Sequence, residues 1–112
     1  MDEFSVKSEG RGEVTVVSVT GRVDSVTAAA LDADLGRIAQ EYKKLVLDLK
    51  HVSYLSSAGV RAIVRVMQNA QKAGGGVKLA HIPSHVAEVL QTVGLMEMME
   101  VFPTVDEAAA SF

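Results

Sequence analysis

Residues 44–67 read KLVLDLKHVSYLSSAGVRAIVRVM. The opening KLVLDLK sets four apolar residues around Asp48, the composition of a buried strand. From Val60 the pattern changes: Val60, Ile63, Val64 and Met67 recur at helical spacing. Two adjacent hydroxyls, Ser56 and Ser57, stand between the two periods. Ser56 as an N-cap accepts a hydrogen bond from a free amide of the following helix, worth on the order of 1 kcal/mol. That accounts for one serine. Ser57 then falls in the first turn, where a side chain points outward beside unpaired N–H groups and a partly positive helix end. A phosphoryl group placed there gains those donors and adds about -1.5 to -2 charges. Ala58 and Gly59 add no bulk, so another protein's backbone could come close.

Upstream, VTVVSV at residues 14–19 is a β-branched run between GRGE and TGR. The shorter alternation from Phe4 to Lys7 leads into the same Gly-rich turn, so the two runs are expected to pair as a hairpin. Leu31, Leu35, Ile38 and Tyr42 then mark the apolar stripe of a first helix, with Ser25 or Thr27 available as its N-cap. Downstream, Gly74 to Gly76 stop the second helix, and VKLAHI makes a further strand. Pro83 and Ser84 open a helix that runs through Val86, Val89 and Leu90 to Gly94. EVF is a short strand, and Thr104 with Glu107 fits a capping box before the terminal AAASF helix. The order is β-β-α-β-α-β-α-β-α. This predicts an α/β fold in one domain, residues 1–112: a single mixed sheet of about five strands with an opening hairpin, and about four helices packed against it.

The balance of the 112 residues, 48% hydrophobic and 22% charged with a net charge of -3, is that of a globular domain and not of a disordered chain. No dense Lys/Arg cluster is present, which argues against a nucleic-acid partner. Without cysteine, disulfides and thiolate chemistry are excluded. MDEFSVKSEG opens with acids and lacks an apolar core of signal-peptide length, and no apolar stretch reaches a membrane-spanning length. A cytoplasmic protein with no membrane span is expected.

Catalytic chemistry finds little support. His81 and His85 are four apart, but Pro83 lies between them and no acid accompanies them at ligand spacing; with His51 they are expected on the surface or in loops, not on a metal. The three glycines follow a helix and open a strand, the reverse of a phosphate loop. Ser56 and Ser57 lack the flanking glycines of a nucleophile elbow. A serine nucleophile also needs a base and a group to orient it, a role for which sequence alone does not place His51. Met96, Met98 and Met99 are expected to fill gaps in the core, with an adaptable partner surface as the minority alternative. The expectation is a protein that is no enzyme and carries no cofactor or metal.

At this point the chain resembles the STAS family, the fold of bacterial anti-sigma factor antagonists. The likeness rests on VTVVSVTGRVDSVTAAAL, on LVLDLKHVSYLSSAGVRAIV and on VGLMEMMEVFPTVDEAAA, which follow one another in the family's order. The resemblance implies a protein that binds an anti-sigma factor with serine-kinase activity and thereby releases a sigma factor. Serine phosphorylation ends the interaction until a serine phosphatase reverses it. Carried onto this chain, Tyr54, Ser56, Ser57, Ala58, Gly59 and Arg61 would face the partner, with Asp24 as a neighbouring contact and the Tyr54–Gly59 loop as the switch. The best-known members read Asp-Ser-Ser-Gly, whereas here Ser56 stands at the aspartate position and Ala58 at the acceptor position. The acceptor is then Ser57, with Ser56 as second choice. The alternative is a STAS module that is never phosphorylated, within a lipid-transport ATPase or a scaffold complex.

Overall fold

The β-branched run becomes the second strand of a five-stranded sheet in the computed structural model, which describes residues 3–112. Met1 and Asp2, and with them the first acid of the chain, lie outside the described residues. The strands are β1 (Ser5–Arg11), β2 (Val14–Val23), β3 (Lys44–Leu55), β4 (Gly76–Ala80) and β5 (Val101–Phe102), and they lie side by side in chain order. β1 and β2 form the expected antiparallel hairpin, longer than the sequence indicated, and every later pairing is parallel. The helices are α1 (Thr27–Glu41), α2 (Ser57–Lys72), α3 (Ser84–Thr92), α4 (Leu95–Met98) and α5 (Val105–Ala110). The single turn α4 was not anticipated. It divides the methionines: Met99 is buried, Met96 is half-buried and Met98 is exposed.

Alternation along the strands builds two cores. Val17, Val19, Leu45, Leu47 and Leu79 point to the face covered by α1, α2 and α3, where Leu31, Leu35, Ile63, Val66, Val86 and Leu90 meet them. Val14, Val16, Val46 and Ala80 point the other way, beneath Val105 and Ala108 of α5. Lys78 is buried on this second side, where its Nζ donates to the backbone oxygen and Oγ of Ser111 at 3.0 and 2.7 Å and lies 4.3 Å from the Phe112 ring. A cation without a local sequence partner thus secures the C-terminus.

The helix ends follow elementary rules. α2 closes in a Schellman motif: Gly74, at φ +87°, donates its N–H to the Gln71 carbonyl, and Gly75 donates to Ala70. The glycine triplet is therefore a helix terminus, as expected. Thr104 Oγ1 accepts from the Glu107 N–H at 3.1 Å and caps α5. Tyr42, placed on the stripe of the first helix by spacing, instead follows its last turn in extended backbone and is exposed.

β3 continues five residues past KLVLDLK. Its second half buries Leu49, Val52 and Leu55, every third residue, while Lys50, His51, Ser53 and Tyr54 are exposed. The register against β2 slips between Ser18 and Thr20 and again between Gly21 and Arg22. Each irregularity adds one residue on β3 and resets which face the next side chain occupies. A strand can then carry an apolar period of three.

Candidate functional site

The parallel strands β2 and β3 end together, and α1 and α2 begin there. This is the edge at which open α/β sheets present their ligand-binding surfaces. Ser56 is the single residue between β3 and α2. Its N–H donates to the Val23 carbonyl at 2.8 Å, which ties it to the end of β2. Its Oγ accepts from the Gly59 N–H at 3.2 Å, and its carbonyl accepts from Val60. Ser56 is thus the N-cap of α2. Replacing Ser56 with alanine is expected to cost about 1 kcal/mol in chemical denaturation, and Ser56→Asp should retain most of that because a carboxylate caps equally well.

Ser57 is the first residue of α2 and is exposed. The expected switch loop from Tyr54 to Gly59 is replaced by regular structure: Tyr54 and Leu55 finish β3, and Ser57, Ala58 and Gly59 are already helical. The reason is the pair of β3 irregularities, which keep residues 50–55 in the sheet. Gly59 also departs from its expected role. It is buried, and a Cβ there would stand 2.6 Å from Leu55 Cδ1 and 2.7 Å from Val23 Cγ1. The space left by its missing side chain opens inward, to let α2 seat on the sheet, and not toward a partner.

Asp24 takes the capping role that the sequence assigned to Ser25 or Thr27. Its Oδ1 accepts from the N–H groups of Val26 and Thr27 at 2.9 and 3.0 Å, while its own N–H donates to Thr27 Oγ1. Thr27 Oγ1 donates in turn to the Arg22 carbonyl at 2.7 Å. A carboxylate two and three residues before these amides reaches them more directly than Ser25 could. The Thr27 amide hydrogen bond, followed by those of Val26 and the Thr27 hydroxyl and by the Arg22 charge, holds the Asp24 carboxyl below its ordinary range against a smaller opposing effect of burial. The native carboxyl therefore binds its proton less tightly than the unfolded chain does. Its contribution to stability is complete at neutral pH and is lost as the pH falls below about 4 toward the native value. A carbon-detected titration of the Asp24 carboxyl should show a midpoint below that of the same residue in an unstructured peptide; an equal midpoint would contradict this capping geometry.

Arg22, Tyr54 and Val26 complete the surface. The Arg22 guanidinium lies 4.1 Å from the centre of the Tyr54 ring, and its Nε is 3.7 Å from Asp24 Oδ2. Val26 is 78% exposed. Neither Arg22 nor Val26 was singled out from the sequence; Val26 falls outside the apolar stripe of α1, which is the one sign it gave. Between the first turns of α1 and α2 lies a cavity of about 200 Å³ floored by Ala28, Ala29, Ala58 and Ala62. Arg61 and Arg65 flank it on the α2 side and Asp32 on the α1 side, with Arg65 Nη1 ion-paired to Asp32 Oδ2. Ala58 is half-buried in this floor. His51 and His85 are exposed, and His81 lies at the end of β4 with φ +53°. Among the described residues no helix is long and apolar enough to cross a membrane.

The chain belongs to the STAS domain family, whose model matches residues 5–108. The anti-sigma-F factor antagonist RsfB of Mycobacterium tuberculosis is 29% identical over 110 residues, covering 96% of this chain and 88% of RsfB. Among solved structures, an anti-sigma factor antagonist from Mycobacterium paratuberculosis superimposes with a TM-score of 0.89 at 27% identity, covering 97% of this chain and 93% of that one. SpoIIAA of Bacillus shares the fold at lower identity. Its unphosphorylated form gives a TM-score of 0.80 at 20% identity, covering 97% and 95% of the two chains, and its phosphorylated form 0.73 at 19%, covering 97% and 98%.

Proposed function

We propose that this chain is a cytoplasmic anti-sigma factor antagonist, acting as one STAS domain over residues 1–112. In this reading its α1–α2 edge docks on an anti-sigma factor with serine-kinase activity. The observation that carries it is the division of labour between the two serines. Ser56 is committed to capping α2, whereas Ser57 stands exposed one residue later, its hydroxyl with no hydrogen-bond partner among the described residues. Ser57 is accordingly the phosphorylation site and Ser56 the second choice. The γ-phosphoryl group of ATP passes to Ser57 Oγ, which loses its proton, and ADP leaves; a serine phosphatase returns the hydroxyl by hydrolysis. The naming of RsfB as an anti-sigma-F factor antagonist and the existence of a phosphorylated SpoIIAA support the assignment.

The partner surface consists of Tyr54 stacked under Arg22, the Val26 knob, Ser57, and the cavity bordered by Ala58 and Arg61. Asp24 and Gly59 act behind it, as the cap that positions α1 and the glycine that seats α2. The protein performs no chemistry of its own in this scheme.

The test is incubation with ATP and the serine-kinase anti-sigma factor of the same organism, followed by mass spectrometry. One added phosphate on wild type, and none on Ser57→Ala, is the expected outcome. Equal phosphate on Ser57→Ala would move the site to Ser56. No phosphate on wild type, with partner binding identical for Ser57→Ala and Ser57→Glu, would replace this reading with that of a permanently unmodified STAS module.

A further inference from the structure

Each of the other arginines is already paired: Arg11 with Asp106, Arg22 with Asp24, Arg37 with Asp34 and Arg65 with Asp32. Arg61 is exposed and forms no ion pair among the described residues. It is four residues after Ser57 on the same helix, so the two side chains are neighbours on one face, with Cβ atoms about 5–6 Å apart. An anion N-terminal to a cation at this spacing is the favourable orientation. Arg61 also borders the alanine-floored cavity between α1 and α2, where the carboxylate among the lining residues, that of Asp32, is engaged by Arg65. The cavity is too small for a ligand of drug size and fits a single short side chain.

We infer that Arg61 is the group through which this site reads its own modification, an inference that rests on the phosphorylation of Ser57 proposed above. In the unmodified protein Arg61 is free to take an acidic side chain of the anti-sigma factor at the mouth of the alanine cavity. Once Ser57 carries a phosphate, the dianion captures Arg61 within the same helix. The cation that held the partner's carboxylate is withdrawn, and a negative charge now faces that carboxylate. One event removes an attraction and installs a repulsion. Charge complementarity identifies the occupant: with Arg65 and Asp32 neutralising each other, Arg61 leaves the cavity rim net positive.

The capture can be tested without any partner. Phosphoserine is installed at position 57 of the full chain during translation, and its second ionisation is followed by phosphorus NMR in wild type and in Arg61→Gln. At a pH near that ionisation and at low salt, wild type should show a dianion-to-monoanion ratio about twofold higher than Arg61→Gln, and the difference should shrink at 1 M salt. Phosphoserine at Ser84 supplies the control. It is also the exposed first residue of a helix, α3, but has Glu88 four residues on, so it should titrate at higher pH than position 57. Equal titration of wild type and Arg61→Gln would overturn the capture, whether or not a kinase acts on Ser57. The second arm measures binding of the unmodified protein to the serine-kinase anti-sigma factor. Arg61→Gln should weaken it roughly tenfold, as removal of one charge-assisted contact does, and phosphoserine 57 should then cause a smaller further loss than in wild type. Unchanged affinity of Arg61→Gln would overturn the docking role, while loss of binding with no phosphorylation detectable in cells would instead count against the proposed function.

Discussion

Phosphoserine at position 57 is expected to weaken binding to the anti-sigma factor by about a thousandfold, some 4 kcal/mol. The size follows from where the hydroxyl sits. Ser57 is exposed at the start of α2, on a surface where Arg22, Tyr54 and Val26 present an apolar and aromatic rim. Against such a rim an uncharged hydroxyl is easily covered, whereas a dianion must lose its water and gains no compensating cation from across the interface. Within the free protein the same phosphate is stabilised by the open amides of the first turn, so modification should leave the fold intact or slightly more stable. Isothermal titration of both forms, alongside thermal denaturation of each alone, checks this. A modified protein that binds as tightly as the unmodified one would show that the α2 mouth lies outside the interface. Ser57→Glu should reproduce only part of the loss, because it carries one charge in place of nearly two.

Replacing Gly75 with alanine is expected to cost at least about 3 kcal/mol, a large fraction of the stability of a domain this size. A Cβ at Gly75 would lie 1.9 Å from the Lys43 carbonyl oxygen and 2.6 Å from its carbon. The obstacle is backbone, and it cannot swing aside. That same carbonyl accepts from the Gly76 N–H at 2.8 Å, and Gly75 itself is tied to Ala70 at 2.8 Å by the helix terminus. Relief would separate β4 from β3 at the centre of the sheet. Its neighbour provides the contrast. Gly74 has φ +87° but open space around it, so Gly74→Ala should cost only about 1–2 kcal/mol, the strain of left-handed backbone. Urea denaturation of the two variants separates these mechanisms; equal and small losses would mean that the turn between α2 and β4 is not packed against Lys43.

The identity of the glycines was plain in the sequence, but their ranking was not. A GGG triplet after a helical stripe marks a terminus because one residue must turn left-handed. Which glycine is there for its backbone angle and which for lack of a side chain depends on Lys43, far upstream in the chain. The N-cap of α2 was legible for the opposite reason: Ser56 bonds Gly59 three residues on, and interactions of that range are written locally. The cap of α1 was misplaced by a residue or more, since Asp24, Ser25 and Thr27 can all cap and only the geometry of the β2 end selects among them.

The alternation of VTVVSV and LVLDL, the stripes of α1 and α2, and the turn residues between them determined by themselves an α/β chain with an opening hairpin, because strand and helix periods are properties of neighbouring residues. They also placed Ser57 at the mouth of a helix. Only the tertiary structure decided that β3 runs on to Leu55, since LKHVSYL buries every third residue and that period becomes a strand only through two register slips against β2. It alone turned Gly59 inward, gave Asp24 to a cap and left Arg61 without an ion pair among the described residues. Each of these depends on which distant side chain arrives at the same place, and that is fixed by packing between elements and not by the order of residues within one.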